Sequence, residues 1–352
     1  MLHDVLFGLG LFLILATLIP LIRHDFWIFR VFEYPRLQKL VINLLVLLCF
    51  CFLFMDGTIW DIALLAALSA NLIYLIYLVI PFTKLGRKQI VGVTNPDESQ
   101  RLRLFIANVF QDNRNDTAYH KLIEECDPDV ILMVETNGWW AKQMNPLLKR
   151  YPHHLSMPLE NTYGMLLYSR LNIVDGSVKF LVKEDIPSIE ATVILPSGQP
   201  VQLFCLHPEP PVPQENPRST ERDKEILMVG TKAKEMSGPV VVMGDLNDVA
   251  WSYTTELFGK VSGLLDPRRG RGFFNSFNAK YFFLRFPLDH IFCSQDFALG
   301  GISRLNSCGS DHFPMCVELQ YSPAAVAVNE NPEADTADLA LAQEKIEKEV
   351  VD

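Results

Sequence analysis

The chain has 352 residues, 49% of them hydrophobic, and 41 acidic against 31 basic side chains give a formal net charge of -10. Its length suits about two to three domains, or one large domain with appendages. The acidic balance excludes a general electrostatic attraction for nucleic acid or an anionic membrane face, so a phosphate substrate must be held by a local site, by bound cations, or by both.

The hydrophobic excess is concentrated before residue 83. Three apolar segments occupy 5–22, 40–55 and 59–80, and a helical span needs about 17–25 apolar residues. The start Met1-Leu2-His3-Asp4 has no basic region, and no small-x-small site follows Leu21, so the first segment reads as a span rather than a cleaved leader. Residues 1–83 are therefore predicted to be a membrane domain with three transmembrane helices. The first loop carries Arg23, Arg30, Arg36 and Lys39, the second, around Asp56, carries no lysine or arginine, and Lys84, Arg87 and Lys88 follow the third segment. This bias predicts an inner-membrane, multi-pass protein whose C-terminal part is cytoplasmic. Phe26, Trp27, Phe29 and Trp60 suit interfacial anchors.

Residues 84–101, containing Asn95-Pro96-Asp97, read as a polar linker. From Leu102 the pattern changes to short β-rich runs at 102–108, 130–135, 165–169, 190–194, 202–207, 240–244, 290–293 and 313–319. Helical stretches are predicted at 117–126 and 219–234. The alternation indicates an α/β or α+β domain over 102–320. The acidic tail, 321–352, is expected to be disordered, with a weak helix near its end. Cys49 and Cys51 lie in an apolar segment, and Cys126, Cys205, Cys293, Cys308 and Cys316 are scattered with no C-x-x-C. That usage fits a reducing compartment and argues against zinc.

The most informative run is Val240-Val241-Val242-Met243-Gly244-Asp245-Leu246-Asn247-Asp248. A buried strand ends in a carboxylate and a carboxamide two residues apart, a spacing that lets both reach one phosphate or one metal. The same residues are also good turn chemistry. Five further clusters lie at the ends of apolar runs. Asn108 follows Leu104-Phe105-Ile106-Ala107. Glu135 follows Val130-Ile131-Leu132-Met133-Val134, where a carboxylate is costly unless paired or bound to a cation. His207 precedes the stiff Pro208-Glu209-Pro210-Pro211. Asp289-His290 and Ser310-Asp311-His312 offer carboxylates that fix and charge an imidazole. Oxygen ligands suit Mg²⁺, and the imidazoles and amides suit in-line attack of water on a phosphate ester.

In this order Asn108, Glu135, Gly164–Arg170, His207, Gly244-Asp245-Leu246-Asn247, Asp289-His290 and Ser310-Asp311-His312 resemble the motifs of the endonuclease/exonuclease/phosphatase superfamily. The chain looks most like a bacterial membrane-anchored branch of it. The resemblance implies a four-layer α/β sandwich of two mixed β-sheets flanked by helices, here preceded by three transmembrane helices. It implies Glu135 as principal Mg²⁺ ligand, Mn²⁺ being a possible substitute, with Asn108 and Asp311 close to the metal. It implies Asp245 and His312 jointly as acid and base, Asp289 orienting His312, His207 donating to the phosphate, and Asn247 holding a phosphate oxygen.

Arg268, Arg269 and Arg271, beside Phe273 and Phe274, read either as a substrate-binding loop or as a solvated basic turn. Arg218 and Arg222 read as a solvated helix face in preference to phosphate contacts. The expected function is a membrane-anchored, Mg²⁺-dependent phosphoesterase cleaving a phosphodiester, with nucleic acid or a lipid head group as substrate. Its expected partners are that substrate and the lipid bilayer, with no obligate protein partner. A phosphomonoesterase of the inositol-phosphatase type and a catalytically silent scaffold are the alternatives.

Overall fold

The computed structural model describes residues 1–54 and 57–350. Met55 and Asp56, which end the second predicted segment and open the second loop, lie outside the described residues, as do Val351 and Asp352 of the tail. The chain opens with helices α1 (Leu2–Leu18), α2 (Trp27–Arg30), α3 (Arg36–Leu53) and α4 (Ile59–Val79). Three stretches, Leu2–Ile22, Arg36–Leu53 and Ile59–Phe82, are long and apolar enough to cross a membrane. They pack on one another through Leu13, Val46, Phe50, Leu64 and Leu68, and they leave large apolar side chains such as Phe52 and Trp60 facing outward. Asn43 and Asn71 hydrogen-bond to each other inside the bundle, so neither amide meets hydrocarbon unpaired. A capping box of Thr58 and Asp61 starts α4.

The remaining elements are β1 (Arg101–Asn108), α5 (Asp116–Cys126), β2 (Val130–Val134), α6 (Gly138–Met144), β3 (His153–Met157), β4 (Met165–Ser169) and β5 (Asn172–Lys179), then β6 (Ser188–Ile194), β7 (Pro200–Leu206), α7 (Thr220–Glu235), β8 (Val240–Asp245), α8 (Tyr253–Ser262), β9 (Asp289–Cys293), β10 (Phe297–Arg304), β11 (Met315–Tyr321) and α9 (Thr336–Glu347). They form a six-stranded sheet in the order β10-β11-β1-β2-β4-β3 and a five-stranded sheet in the order β5-β6-β7-β8-β9. Both sheets are mixed: β1–β2 and β7–β8 are parallel, and the other pairs are antiparallel. The sheets face each other across a core that includes Leu104, Leu132, Leu203 and Met243. Tyr119 and Trp140 fill the layer under α5 and α6, and Ile226, Phe258 and Ala342 fill the layer under α7, α8 and α9. This is the expected four-layer sandwich. Its two central parallel pairs end at the same edge, where β1, β2, β7 and β8 deliver their last residues.

Two expectations about the flanking segments need correction. The 84–101 stretch is no free linker: Ile90 is fully buried between the sheets, and Val91 and Val93 hydrogen-bond to Leu299 on β10. The acidic tail is ordered where it docks. An Asp335–Asp338 capping box starts α9, Ala342 is buried, and Lys345 and Lys348 reach Asp223 and Asp25, each at 2.7 Å. The two bases of an otherwise acidic tail thus meet carboxylates of the domain, a complementarity that composition alone does not display. Finally, Cys126 and Cys316, 190 residues apart, form a disulfide with a Cα–Cα distance of 6.5 Å. Spacing could not reveal this pair, because the end of α5 and β11 meet only through the fold.

The loop between the first two spans packs on the globular domain. Trp27 N donates to the Pro217 carbonyl at 2.8 Å, and Trp251 Nε1 donates to the Glu33 carbonyl at 2.9 Å. Arg30, buried, lies 3.9 Å from Asp223 and 3.8 Å from Asp248. Arg222 is likewise not on a solvated face, being wholly buried, whereas Arg218 stays part-exposed and pairs with Asp25 at 2.9 Å.

Candidate active site

Two glycines set the shape of the shared sheet edge. A Cβ on Gly244 would lie 1.9 Å from the Leu206 carbonyl oxygen, and one on Gly164 would lie 1.8 Å from that of Thr136. Only glycine allows these backbones to approach so closely. Just beyond these close approaches, Glu135 and Asn247 adopt the left-handed region at φ 57° and 50°. Strain of this kind persists only where surrounding structure enforces it, and it clusters at functional sites.

Asn108 ends β1 and Glu135 follows β2, so parallel pairing sets the two side by side. Asn108 Nδ2 donates to Glu135 Oε1 at 2.7 Å and to Asp245 Oδ2, on the other sheet, at 3.0 Å. Asp245 is directly opposite Asp289 in the β8–β9 register. His312 Nδ1 lies 2.7 Å from Asp289 Oδ2, and its Nε2 lies 3.5 Å from Asp245 Oδ2. With a carboxylate at each nitrogen the ring is held as an imidazolium. Burial opposes that charge, but Asp289 and Asp245 outweigh it and raise the His312 pKa to about 10. Burial likewise opposes the Asp245 charge, and His312 and His207 overcome it to hold the carboxyl below its ordinary range.

His207 Nδ1 faces the Asp245 carbonyl oxygen at 3.3 Å and so carries a hydrogen, which leaves Nε2 for the substrate side. Asn247, the one partly exposed residue of the 245–248 run, donates from Nδ2 to the Pro208 carbonyl at 2.9 Å and keeps a second amide hydrogen. Its backbone N–H is held by Asp245 Oδ1 at 2.9 Å. Asn108, Glu135, His207, Asp245, Asn247, Asp289 and His312 are thus brought to one edge. Asp311 flanks His312, but among the described residues no hydrogen bond or ion pair links it to Glu135.

The arginine loop is a correction. Arg268 is 2% exposed. It makes a bidentate pair with Asp266 at 2.9 Å and reaches His290 Nδ1 at 2.8 Å. Arg269 lies over the Phe82 ring at 5.1 Å, and Arg271 donates to the Ile90 carbonyl at 2.5 Å. Arg268 is thus tied into the interior, while Arg269 and Arg271 brace the end of the last span and the stretch after it and stay partly exposed. His290 passes the brace on, with Nε2 2.8 Å from the Asp248 carbonyl oxygen.

Sequence reasoning missed three supports. Ser276 Oγ accepts from the Leu288 and Asp289 amides, fixing the start of β9. Tyr34 Oη and Arg222 Nη1 both donate to the Asn247 carbonyl, at 3.0 and 2.8 Å. These contacts bridge 12 to 213 residues of chain, and nothing local marks them. Ser310, inside a recognised motif, ties two site residues together. Its Oγ donates to the Asn108 carbonyl and accepts from the His312 amide, both at 2.9 Å.

The donors fit a hard divalent cation. Burial raises the Glu135 pKa, with His207 and Asn108 opposing it, so a cation beside this carboxylate would relieve an unfavourable charge. Asp289 Oδ1 is buried without a hydrogen-bond partner among the described residues. Asp245, Asp289 and His312 also place ligand atoms within 4.8 Å of one another. A cation there would displace the short His312–Asp289 bond, which makes the Glu135–Asn108 side the better seat.

Residues 106–312 match the model of the Endonuclease/Exonuclease/phosphatase family. Among solved structures, D. rerio TDP2 humanized by 14 mutations is 16% identical, with a TM-score of 0.53 over 63% of this chain and 100% of that one. D. rerio TDP2 complexed with a single-strand DNA product is 18% identical, with a TM-score of 0.52 over 62% and 99%. An endonuclease/exonuclease/phosphatase from Beutenbergia cavernae is 17% identical, with a TM-score of 0.52 over 63% and 72%. These likenesses establish the fold. No curated protein matches the chain.

Proposed function

The chain belongs to the endonuclease/exonuclease/phosphatase family and is a phosphoric ester hydrolase; on that premise we propose that it is a membrane-anchored, Mg²⁺-dependent phosphodiesterase. One observation carries this reading. A partly exposed Glu135 and a buried Asp245, on different sheets, share the Asn108 amide, and His312 stands beyond Asp245 with carboxylates at both ring nitrogens.

Glu135, with Asn108, would hold Mg²⁺, and Asp311, next to His312 in the chain, would be a further oxygen donor. Bound there, the cation would neutralise charge on the phosphate oxygens and lower the pKa of an attacking water. The protein groups divide the proton work. Asp245 is held ionised and orients the water, accepting its proton. His312 is held protonated and donates to a phosphate oxygen or to the leaving oxygen. Asp289 fixes the ring and offsets its charge. Asn247 offers its remaining amide hydrogen to a phosphate oxygen, and His207 faces the phosphate through Nε2.

The three spans support anchoring, because the loop joining the first two and the chain leaving the third both pack on the domain. The active site then sits on the same side of the membrane as that loop. D. rerio TDP2 with its DNA product keeps nucleic acid in view as a diester, although Arg268, the first of the arginines that would favour a polyanion, is tied into the interior here. The test is hydrolysis by full-length protein of bis(p-nitrophenyl) phosphate and p-nitrophenyl phosphate, with Mg²⁺ or with EDTA. Mg²⁺-dependent cleavage of the diester in preference to the monoester supports the reading. Exclusive monoester cleavage replaces it with the inositol-phosphatase type of reaction, and no cleavage of either favours a silent scaffold.

A further inference from the structure

Between Phe277 and Phe286 the chain makes a hairpin whose tip is Tyr281-Phe282-Phe283-Leu284, with 54, 78, 56 and 43% of each residue exposed. The backbone is tightly closed: Asn278 N donates to the Leu284 carbonyl at 3.1 Å and Leu284 N to the Tyr281 carbonyl at 3.2 Å. Four consecutive exposed apolar side chains on an ordered turn form a patch that water disfavours.

Two contacts identify what covers it. Gln38, in the first turn of the spanning helix α3, donates from Nε2 to the Phe283 carbonyl at 2.8 Å. Tyr34, two residues before that helix begins, packs edge-on against Phe286 at 5.5 Å. The tip is therefore fastened to the first turn of α3, a helix long and apolar enough to cross a membrane, and aromatic side chains gather where such a helix enters the bilayer. The other end of the hairpin belongs to the active site. Phe277 lies 5.0 Å from the His312 ring, and Ala279 N donates to the Asp311 carbonyl at 2.7 Å. Lys280, exposed at the neck, suits anionic head groups.

We propose that residues 281–284 insert into the interface of the bilayer that holds α3, and that the active site takes its phosphodiester from a phospholipid in that bilayer. This rests on the phosphodiesterase reading and names its substrate class. In the reaction the oxygen of water bonds to phosphorus, and the bond from phosphorus to one ester oxygen breaks. The water proton passes to Asp245, and the departing alkoxide takes a proton from His312. A phosphomonoester and an alcohol result, with no change of oxidation state.

The test uses full-length protein reconstituted in vesicles of phosphatidylethanolamine and phosphatidylglycerol with Mg²⁺, with lipid products read by mass spectrometry and bis(p-nitrophenyl) phosphate as a soluble control. Replacing Phe282 and Phe283 by serine should lower lipid cleavage by about tenfold or more, the scale of losing two buried aromatic rings, and leave the soluble diester unchanged. Replacing both by leucine should retain lipid cleavage. The proposal is overturned if the serine variant cleaves lipid normally, if it loses both substrates alike, or if the parent cleaves the soluble diester and single-stranded DNA but no lipid. If the parent cleaves neither lipid nor the soluble diester, the phosphodiesterase reading fails with it.

Discussion

Asn108 on one sheet donates to Asp245 on the other at 3.0 Å, and the same amide nitrogen donates to Glu135 at 2.7 Å. A single carboxamide therefore sets the spacing of the two carboxylates on which the proposed chemistry turns. Neither sheet contains the site alone, so its geometry depends on the packing of the whole sandwich.

Asp289 and His312 should behave as one unit. Asp289→Asn and His312→Ala should each lower kcat, by about 10²- to 10⁴-fold if general acid–base catalysis is lost. The double variant should be clearly less than additive. Fully additive losses would mean that the 2.7 Å contact does not operate in turnover.

Tyr34 links the first interhelical loop to the catalytic run through the Asn247 carbonyl. Tyr34→Phe removes one neutral hydrogen bond of about 0.5–1.5 kcal/mol. Because Arg222 still holds the same oxygen, kcat should fall by only about two- to tenfold, with thermal stability nearly unchanged. An unchanged kcat would show that Arg222 suffices.

Much of this was legible in the sequence, for physical reasons that differ by element. Strands β1, β2, β7 and β8 are central and buried, so each reads as an apolar run ending in a polar residue. Edge strands β3 and β5 are half-exposed and mostly polar, and they were missed. Strand β10 hid behind its Gly300-Gly301 bulge. The site residues at central strand ends were found because burial forces a polar group there to have a use. Arg268 misled because a local cluster of charge says nothing about burial: it stands two residues from Asp266, its partner.

Glu225 offers a pH test away from the site. Burial raises its pKa from 4.5 to about 7, against the hydrogen bond from Ser188. A carboxyl whose folded pKa is raised is better accommodated when protonated, so stability is lost as pH rises from about 4.5 through 7. Glu225→Gln should therefore be more stable than the parent at pH 8, by an amount on the order of 3 kcal/mol. The difference should shrink towards pH 5. Denaturation of full-length protein at the two pH values checks this, and a pH-independent difference would remove Glu225 as the cause.

Orientation sets two observations against each other. Loop charges argue for a domain in the cytoplasm, whereas the Cys126–Cys316 disulfide suits an oxidising compartment. We follow the charges: a fluorescent-protein fusion after Lys88 should be bright and an alkaline phosphatase fusion silent. Cys126 and Cys316 should then be trapped as thiols in intact cells, bonding only after they leave a reducing compartment. An active phosphatase fusion with a protected disulfide would put the active site outside.

The central claim is that Glu135 seats the divalent cation used for diester hydrolysis. The most direct measurement is bis(p-nitrophenyl) phosphate hydrolysis against Mg²⁺ concentration, for the full-length parent and for Glu135→Ala, with circular dichroism confirming the fold of each. The parent should show saturable Mg²⁺ activation that EDTA abolishes, and Glu135→Ala should be folded with no activation. A folded Glu135→Ala protein that retains the parent's Mg²⁺ activation would contradict the account.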